Sequence, residues 1–310
     1  MLTIMPDIEY RKGVFLAICA YTIWGVAPLY FKLLHQVPAT DILMHRVIWS
    51  FLFMIILMQF IGGFSRLRLI LKQPKQLLIL LTTSILIAAN WLIFIWAVNN
   101  DHMLDASLGY FINPLFNVLL GMVFLGERLR KLQWVAVTLA SVGVLVQLIS
   151  FGSIPLVSLA LAASFGFYGL LRKKVNIDAK SGLLVETAIL LPVALGYLLV
   201  TLDSSPVSML TNSLNLNLLL VAAGIVTTIP LLCFAGSAVR IPFSILGFFQ
   251  YIGPSIMFIL AVKLFNEPFD IEKGITFCFI WGALVIFISD MVLQRQRRHV
   301  ATKKVPVVKV

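Results

Sequence analysis

Leu108-Gly109-Tyr110-Phe111-Ile112-Asn113-Pro114 opens an apolar run that closes at Gly126-Glu127, and Leu246-Gly247-Phe248-Phe249, followed by Pro254 and Glu267, repeats its outline in the second half of the chain. Both copies begin a hydrophobic segment of helical length and leave it through a short acidic turn. The repeated unit is therefore a membrane-length helix together with its exit. Internal duplication of such units is a recurrent device of membrane carriers.

Working outward, the rest of the chain has the same solvent preference. Of its 310 residues, 60% are hydrophobic and only 12% charged, with a mean hydropathy of +1.01, whereas a soluble domain carries about 25% charged residues. The lipid bilayer is the solvent, and each crossing takes about 20 mainly apolar residues as a helix. Ten such spans are predicted, at roughly 13–34, 41–61, 76–98, 104–125, 132–149, 154–171, 181–201, 216–235, 243–264 and 271–293.

The formal net charge of +11 does not point to nucleic acid, because the basic residues alternate from loop to loop. All of the 24 Lys and Arg residues except Lys32, Arg46, Lys263 and Lys273 fall on loops that share one side when the amino terminus is placed inside. This bias predicts that both termini are cytoplasmic. The tail at 295–310 is then a basic cytoplasmic anchor near anionic lipid. The first span carries Trp24, Pro28 and Lys32 and is too long for a typical signal core, so it reads as a membrane span rather than a cleavable leader. Cys19, Cys233 and Cys278 fall singly in different spans, without metal, haem or redox spacing. No cofactor or metal is expected, and no Walker-type glycine loop points to ATP hydrolysis.

Five spans precede residue 151 and five follow it. An odd number makes the second copy enter the membrane from the opposite face, and the loop charges agree, since the Glu127 turn is basic and the Glu267 turn is not. The expected organisation is a first repeat at 1–150, an inverted second repeat at 151–294 and the tail. Weaker echoes place Trp24-Gly25 against Tyr168-Gly169, and Phe94 against Phe234. Small residues at helical spacing, Ser158, Ala162 and Gly166 in the sixth span and Ala136, Ala140 and Gly143 in the fifth, allow close backbone approach. Packing within the chain is the simplest use of these stripes, and a homodimer face is the other.

A carrier needs polar groups inside the membrane that can be satisfied by one another or by cargo. Ser107, Tyr110, Asn113, Asn117 and Gly121 share one face of the fourth span, and Gly247, Gln250, Tyr251 and Pro254 share one face of the ninth. An inverted repeat sets these stripes opposite each other. Tyr110, Asn113, Asn117, Gln250 and Tyr251 are therefore expected to line a central cavity, joined by Trp24, Asn90, Trp91 and Tyr168. Aromatic walls with sparse amides suit an amphipathic small-molecule substrate. The same residues can instead tie helices together or anchor span ends. Pro114 and Pro254, being repeat-related, are the hinge candidates.

Lys32, Asp41, His45, Arg46 and Asp105 map to the outer ends of three spans and are expected to form a structural or gating charge network. Glu186 and Asp290 lie just inside cytoplasmic span ends, within reach of Lys173, Lys180 or Arg295 by snorkelling. If protons are coupled to transport, Glu186 is the first candidate site. Glu127 and Glu267 read as architectural caps.

The runs Ala20-Tyr21-Thr22-Ile23-Trp24-Gly25, His45-Arg46-Val47-Ile48-Trp49-Ser50, Asn90 through Asn99 and Leu108 through Leu115, with the Gly126-Glu127-Arg128 exit, resemble the EamA branch of the drug/metabolite transporter superfamily, among permeases labelled chloramphenicol-sensitive. The resemblance covers nearly the whole chain. It implies an all-α integral membrane protein of ten helices in two inverted five-helix repeats. It further implies a multi-pass secondary carrier or facilitator of the bacterial inner membrane, moving a small organic metabolite or drug-like solute outward. The alternative class is a membrane-embedded enzyme acting on a lipid or isoprenoid carrier, for which the outer charge group would have to serve.

Overall fold

The computed structural model describes residues 7–62, 64–99, 103–151, 155–201, 209–264 and 271–303. These form α1 (Asp7–Lys32), α2 (Ala39–Ile61), α3 (Phe64–Leu71), α4 (Pro74–Asn99), α5 (Met103–Leu125), α6 (Lys131–Phe151), α7 (Leu156–Val175), α8 (Ala179–Val200), α9 (Leu214–Ala238), α10 (Phe243–Phe249), α11 (Ile252–Lys263) and α12 (Ile271–Lys303). By length and composition, 10 segments of the described residues are able to cross a membrane, and each coincides with an expected span to within a few residues. The protein is a multi-pass integral membrane protein. Its outward faces carry Phe15, Phe60, Ile85, Val193 and Leu199 in the open, as a surface solvated by lipid chains requires.

Two local features depart from the sequence reading. The loop after α2 contains the short helix α3, which lays Leu67 and Ile70 against Leu80, Ile177 and Val185. The ninth span is not one helix but two, α10 and α11, separated at Gln250 and Tyr251. The break has a definite cause. Pro254 lacks an N–H for the Gln250 carbonyl four residues back, and its ring crowds that carbonyl. The Gln250 carbonyl accepts from Gly253 N at 3.2 Å instead, a tighter bond that ends one helix and starts the next. Pro28, Pro114, Pro192 and Pro230 sit inside helices that run on without interruption. The two hinge candidates therefore differ, Pro254 sitting just past a broken turn and Pro114 inside a continuous helix.

The helices pack in an ordered set of interfaces. α2 lies on α8, α5 on α10 and α11, and α6 on α12, while α1 packs on α9 as α4 packs on α7, and α1 packs on α11 as α5 packs on α7. Exchanging the first five spans for the last five returns the same set of pairs. The small-residue stripes are consumed inside the chain: Gly109 abuts the Ser158 backbone between α5 and α7. Thr276 Oγ1 on α12 donates to the Gly143 carbonyl on α6 at 3.3 Å. Those stripes are thus covered by neighbouring helices and offer no dimer face.

Candidate functional site

The crossing of α5 with the broken ninth span brings together the two polar stripes, as their spacing predicts. A Cβ on Gly247 would lie 2.8 Å from the Pro114 carbonyl oxygen, so the close approach needs glycine there. Beside it, Asn117 Nδ2 donates to Gln250 Oε1 at 2.9 Å, and Tyr251 OH donates to the Phe111 carbonyl at 3.3 Å. Asn113, Asn117, Gln250 and Tyr251 are all buried. Asn117, Gln250 and Tyr251 thus lock two helices together across a tight seam. The Oδ1 atoms of Asn113 and Asn117 have no hydrogen-bond partner among the described residues, which leaves acceptor capacity in the same seam.

Toward one end of the bundle lies a first buried polar centre. Arg46 on α2 is 8% exposed, and its Cζ stacks 3.3 Å from the centroid of the Trp91 ring on α4. Tyr110 on α5 is within electrostatic reach of this guanidinium, and its ring packs edge-on against Phe94 at 5.8 Å between centroids. Arg46 was expected in the outer charge network with Lys32, Asp41, His45 and Asp105. The structure separates it from that group: Asp41 and His45, one turn apart, are buried and electrostatically coupled, while Lys32 is exposed at the end of α1. The reason is helical periodicity, because neighbours such as His45 and Arg46 point about 100° apart. The side chains of Asp105 and Ser107 lie outside the described residues, as does Glu267. The division also removes Arg46 from the group that an enzymatic reading would have needed.

A second buried centre lies toward the opposite end, because α2 and α8 begin at opposite ends of a bundle in which five crossings separate their starts. Arg172 on α7 and Glu186 on α8 are each 1% exposed, with Nε and Oε1 3.7 Å apart. Thr83 Oγ1 on α4 donates to Glu186 Oε1 at 2.6 Å, and Tyr168 OH donates to Oε2 at 3.4 Å. Gly182 makes room for the guanidinium, since a Cβ there would sit 1.8 Å from Arg172 Nη1. Tyr168 also stacks on Phe234 and joins a cluster of rings with Phe165, Trp24 and Tyr21.

Glu186 therefore does not snorkel toward Lys173 or Lys180. Arg172, read from the sequence as a loop charge, turns inward because it follows Tyr168 by one helical turn and shares its buried face. Lys173 turns the other way and donates to the Ala238 and Ile241 carbonyls. Asp290 on α12 pairs with Arg130, the residue just before α6. Asn90 was expected at the cavity wall, and its Nδ2 donates to the Leu161 carbonyl at 3.0 Å and to Ser164 Oγ at 2.9 Å, tying α4 to α7.

Glu127 is a helix cap, as read, but for the other half of the chain. Its carboxylate accepts from Phe243 N at 2.6 Å and from Ser244 N and Oγ at 2.8 and 2.6 Å, closing the start of α10. Arg172, Thr83 and the stacking of Arg46 were not foreseen. The tyrosine-to-arginine spacing and the glycine at 182 were the available signals for Arg172, whereas nothing local marks Thr83.

Among the described residues the chain is all-helical, with ten segments able to cross a membrane and one of them broken, and its likeness to known proteins gives the class, that of membrane transporters. The model of the EamA-like transporter family matches residues 11–149. The chain is 57% identical over 289 residues to Protein RarD of Escherichia coli K12, covering 93% of this chain and 98% of that protein. It is 32% identical over 294 residues to the chloramphenicol-sensitive protein RarD of Pseudomonas aeruginosa, covering 93% and 98%. A solved crystal structure shares the fold with a TM-score of 0.69 at 18% identity, over 89% of this chain and 96% of that one. The chain belongs to the EamA-like transporter family.

Proposed function

We propose that the protein is a secondary-active or facilitative carrier of the bacterial inner membrane that exports a small organic solute by alternating access. The observation that carries this reading is the break of the ninth span at Gln250 and Tyr251, where it crosses α5 at Pro114 and Gly247. Discontinuous helices meeting near mid-membrane are where carriers hold their substrates and where the two halves move. The exchangeable set of helix interfaces supports an inverted repeat, with 1–150 rocking against 151–294. The unpartnered amide oxygens of Asn113 and Asn117 support a polar surface beside the break.

Within this reading Glu186 is the candidate proton site, since protonation would release Arg172, Thr83 and Tyr168 together. Comparing metabolites exported by overexpressing and deleted cells names candidate solutes. Purified protein in liposomes then tests flux, and no flux from folded protein across a broad metabolite and drug panel would end the carrier reading. Unchanged pH-gradient-driven flux in Glu186→Gln would remove that residue from coupling while leaving the carrier intact.

A further inference from the structure

We propose that Arg46, stacked on Trp91, is an oxyanion site, and that the exported solute is an organic acid carrying a single carboxylate on an apolar body. This rests on the carrier reading and names the chemistry of its cargo. Four arginines are not exposed among the described side chains, and three of them face a carboxylate: Arg172 faces Glu186, Arg130 faces Asp290 and Arg240 faces Glu9. What sets Arg46 apart is that no described carboxylate lies within ion-pair distance of it; its Nε is buried without a hydrogen-bond partner, as are Nε and Nη1 of Arg172.

A guanidinium inside a membrane span is costly unless its charge has a use. Stacking on Trp91 covers one face of the guanidinium plane through a cation–π contact and leaves the edge with its donors unengaged by the ring. That edge matches a carboxylate, which accepts two parallel N–H donors. The phenol of Tyr110, within electrostatic reach of the guanidinium, is a further hydrogen-bond donor on the neighbouring helix α5. Trp91, Phe94 and Tyr110 supply aromatic surface for the apolar body. A single guanidinium neutralises one negative charge, so a carboxylate fits better than a phosphomonoester, which carries about −1.5 to −2 at neutral pH.

Equilibrium binding to the full chain in lipid nanodiscs, followed by thermal shift, tests the site with benzoate, its uncharged isostere benzamide, and phenylphosphonate. Benzoate is expected to bind saturably, with benzamide and phenylphosphonate at least about tenfold weaker. Arg46→Gln is expected to erase the preference for benzoate, and Arg46→Lys to keep part of it. Equal binding of benzoate and benzamide by the unaltered protein would overturn the proposal, a comparison that stands even if Arg46→Gln fails to fold. Binding of benzoate that emerges only in Asp105→Asn would also overturn it, by assigning Arg46 to an internal partner. Solute flux in liposomes without any preference for acids would sink the oxyanion site and leave the carrier. Preferential benzoate binding without flux of any solute would support the site and sink the carrier.

Discussion

The molecule contains two buried arginine centres built on opposite principles. At one, Arg172 meets Glu186 among Thr83, Tyr168 and Gly182, so its charge is answered within the chain. At the other, Arg46 meets rings, and among the described residues no carboxylate reaches it. The positions are matched: Arg46 stands as far along α2 from Ala39 as Glu186 stands along α8 from Ala179, and Glu186 follows Arg46 at the same offset as Pro254 follows Pro114. One register thus carries opposite charges in the two halves. The difference teaches that two helices at matched positions can each bury an ionic group while only one of those groups is answered by a carboxylate among the described residues.

Breaking the paired centre is expected to have the largest effect. Arg172→Ala strands the Glu186 carboxylate in a buried site and should cost about 3–5 kcal/mol. Thermal unfolding in detergent would show it, and Arg172→Leu with Glu186→Leu should recover most of the loss. Gly182→Ala tests the same centre by displacement. Its Cβ would collide with Arg172 Nη1, and shifting the guanidinium should cost about 1–3 kcal/mol in the same assay.

The unpaired centre should respond in the opposite sense, with function lost before stability. Arg46→Gln removes the stacking on Trp91, worth about 0.5–2 kcal/mol, and with it the cost of an unanswered buried charge, so stability should change little, while acid-selective flux in liposomes falls to background. A stability loss in Arg46→Gln as large as that in Arg172→Ala would erase the distinction between the two centres. The seam between them gives a further test. Asn117→Ala breaks one buried amide pair with Gln250 and should lower stability by about 1–3 kcal/mol if Gln250 stays dry, and by less if water reaches it. Altered flux at unchanged unfolding temperature would place this seam in the transport cycle.

Much of the architecture was legible along the chain because the membrane reads sequence in a simple way. A lipid-crossing helix must satisfy its own backbone, so apolar runs of sufficient length mark spans wherever they occur. The short helix α3 escaped because its apolar face is only a turn or two long and packs on distant Leu80, Ile177 and Val185. The meeting of the α5 stripe with the ninth span was expected from the shared face of each stripe and the similarity of the two halves. What spacing did not say is whether such amides face one another or a solute, and here Asn117 faces Gln250 while Asn90 ties α4 to α7. Charged residues near span ends were the least legible. Their long side chains can turn either way, and Arg172 and Lys173 are adjacent residues with opposite destinations.

By itself, then, the sequence determined the solvent, the number of crossings and the polar faces, because each of these depends on composition or on helical period. Tertiary structure decided the partners: Arg172 for Glu186, Glu127 for the start of α10, Trp91 for Arg46, and a break rather than a bend before Pro254. Partnership between residues far apart in the chain depends on which helix faces meet and at what depth. That is settled by the joint packing of all ten spans and is written in no local stretch of residues.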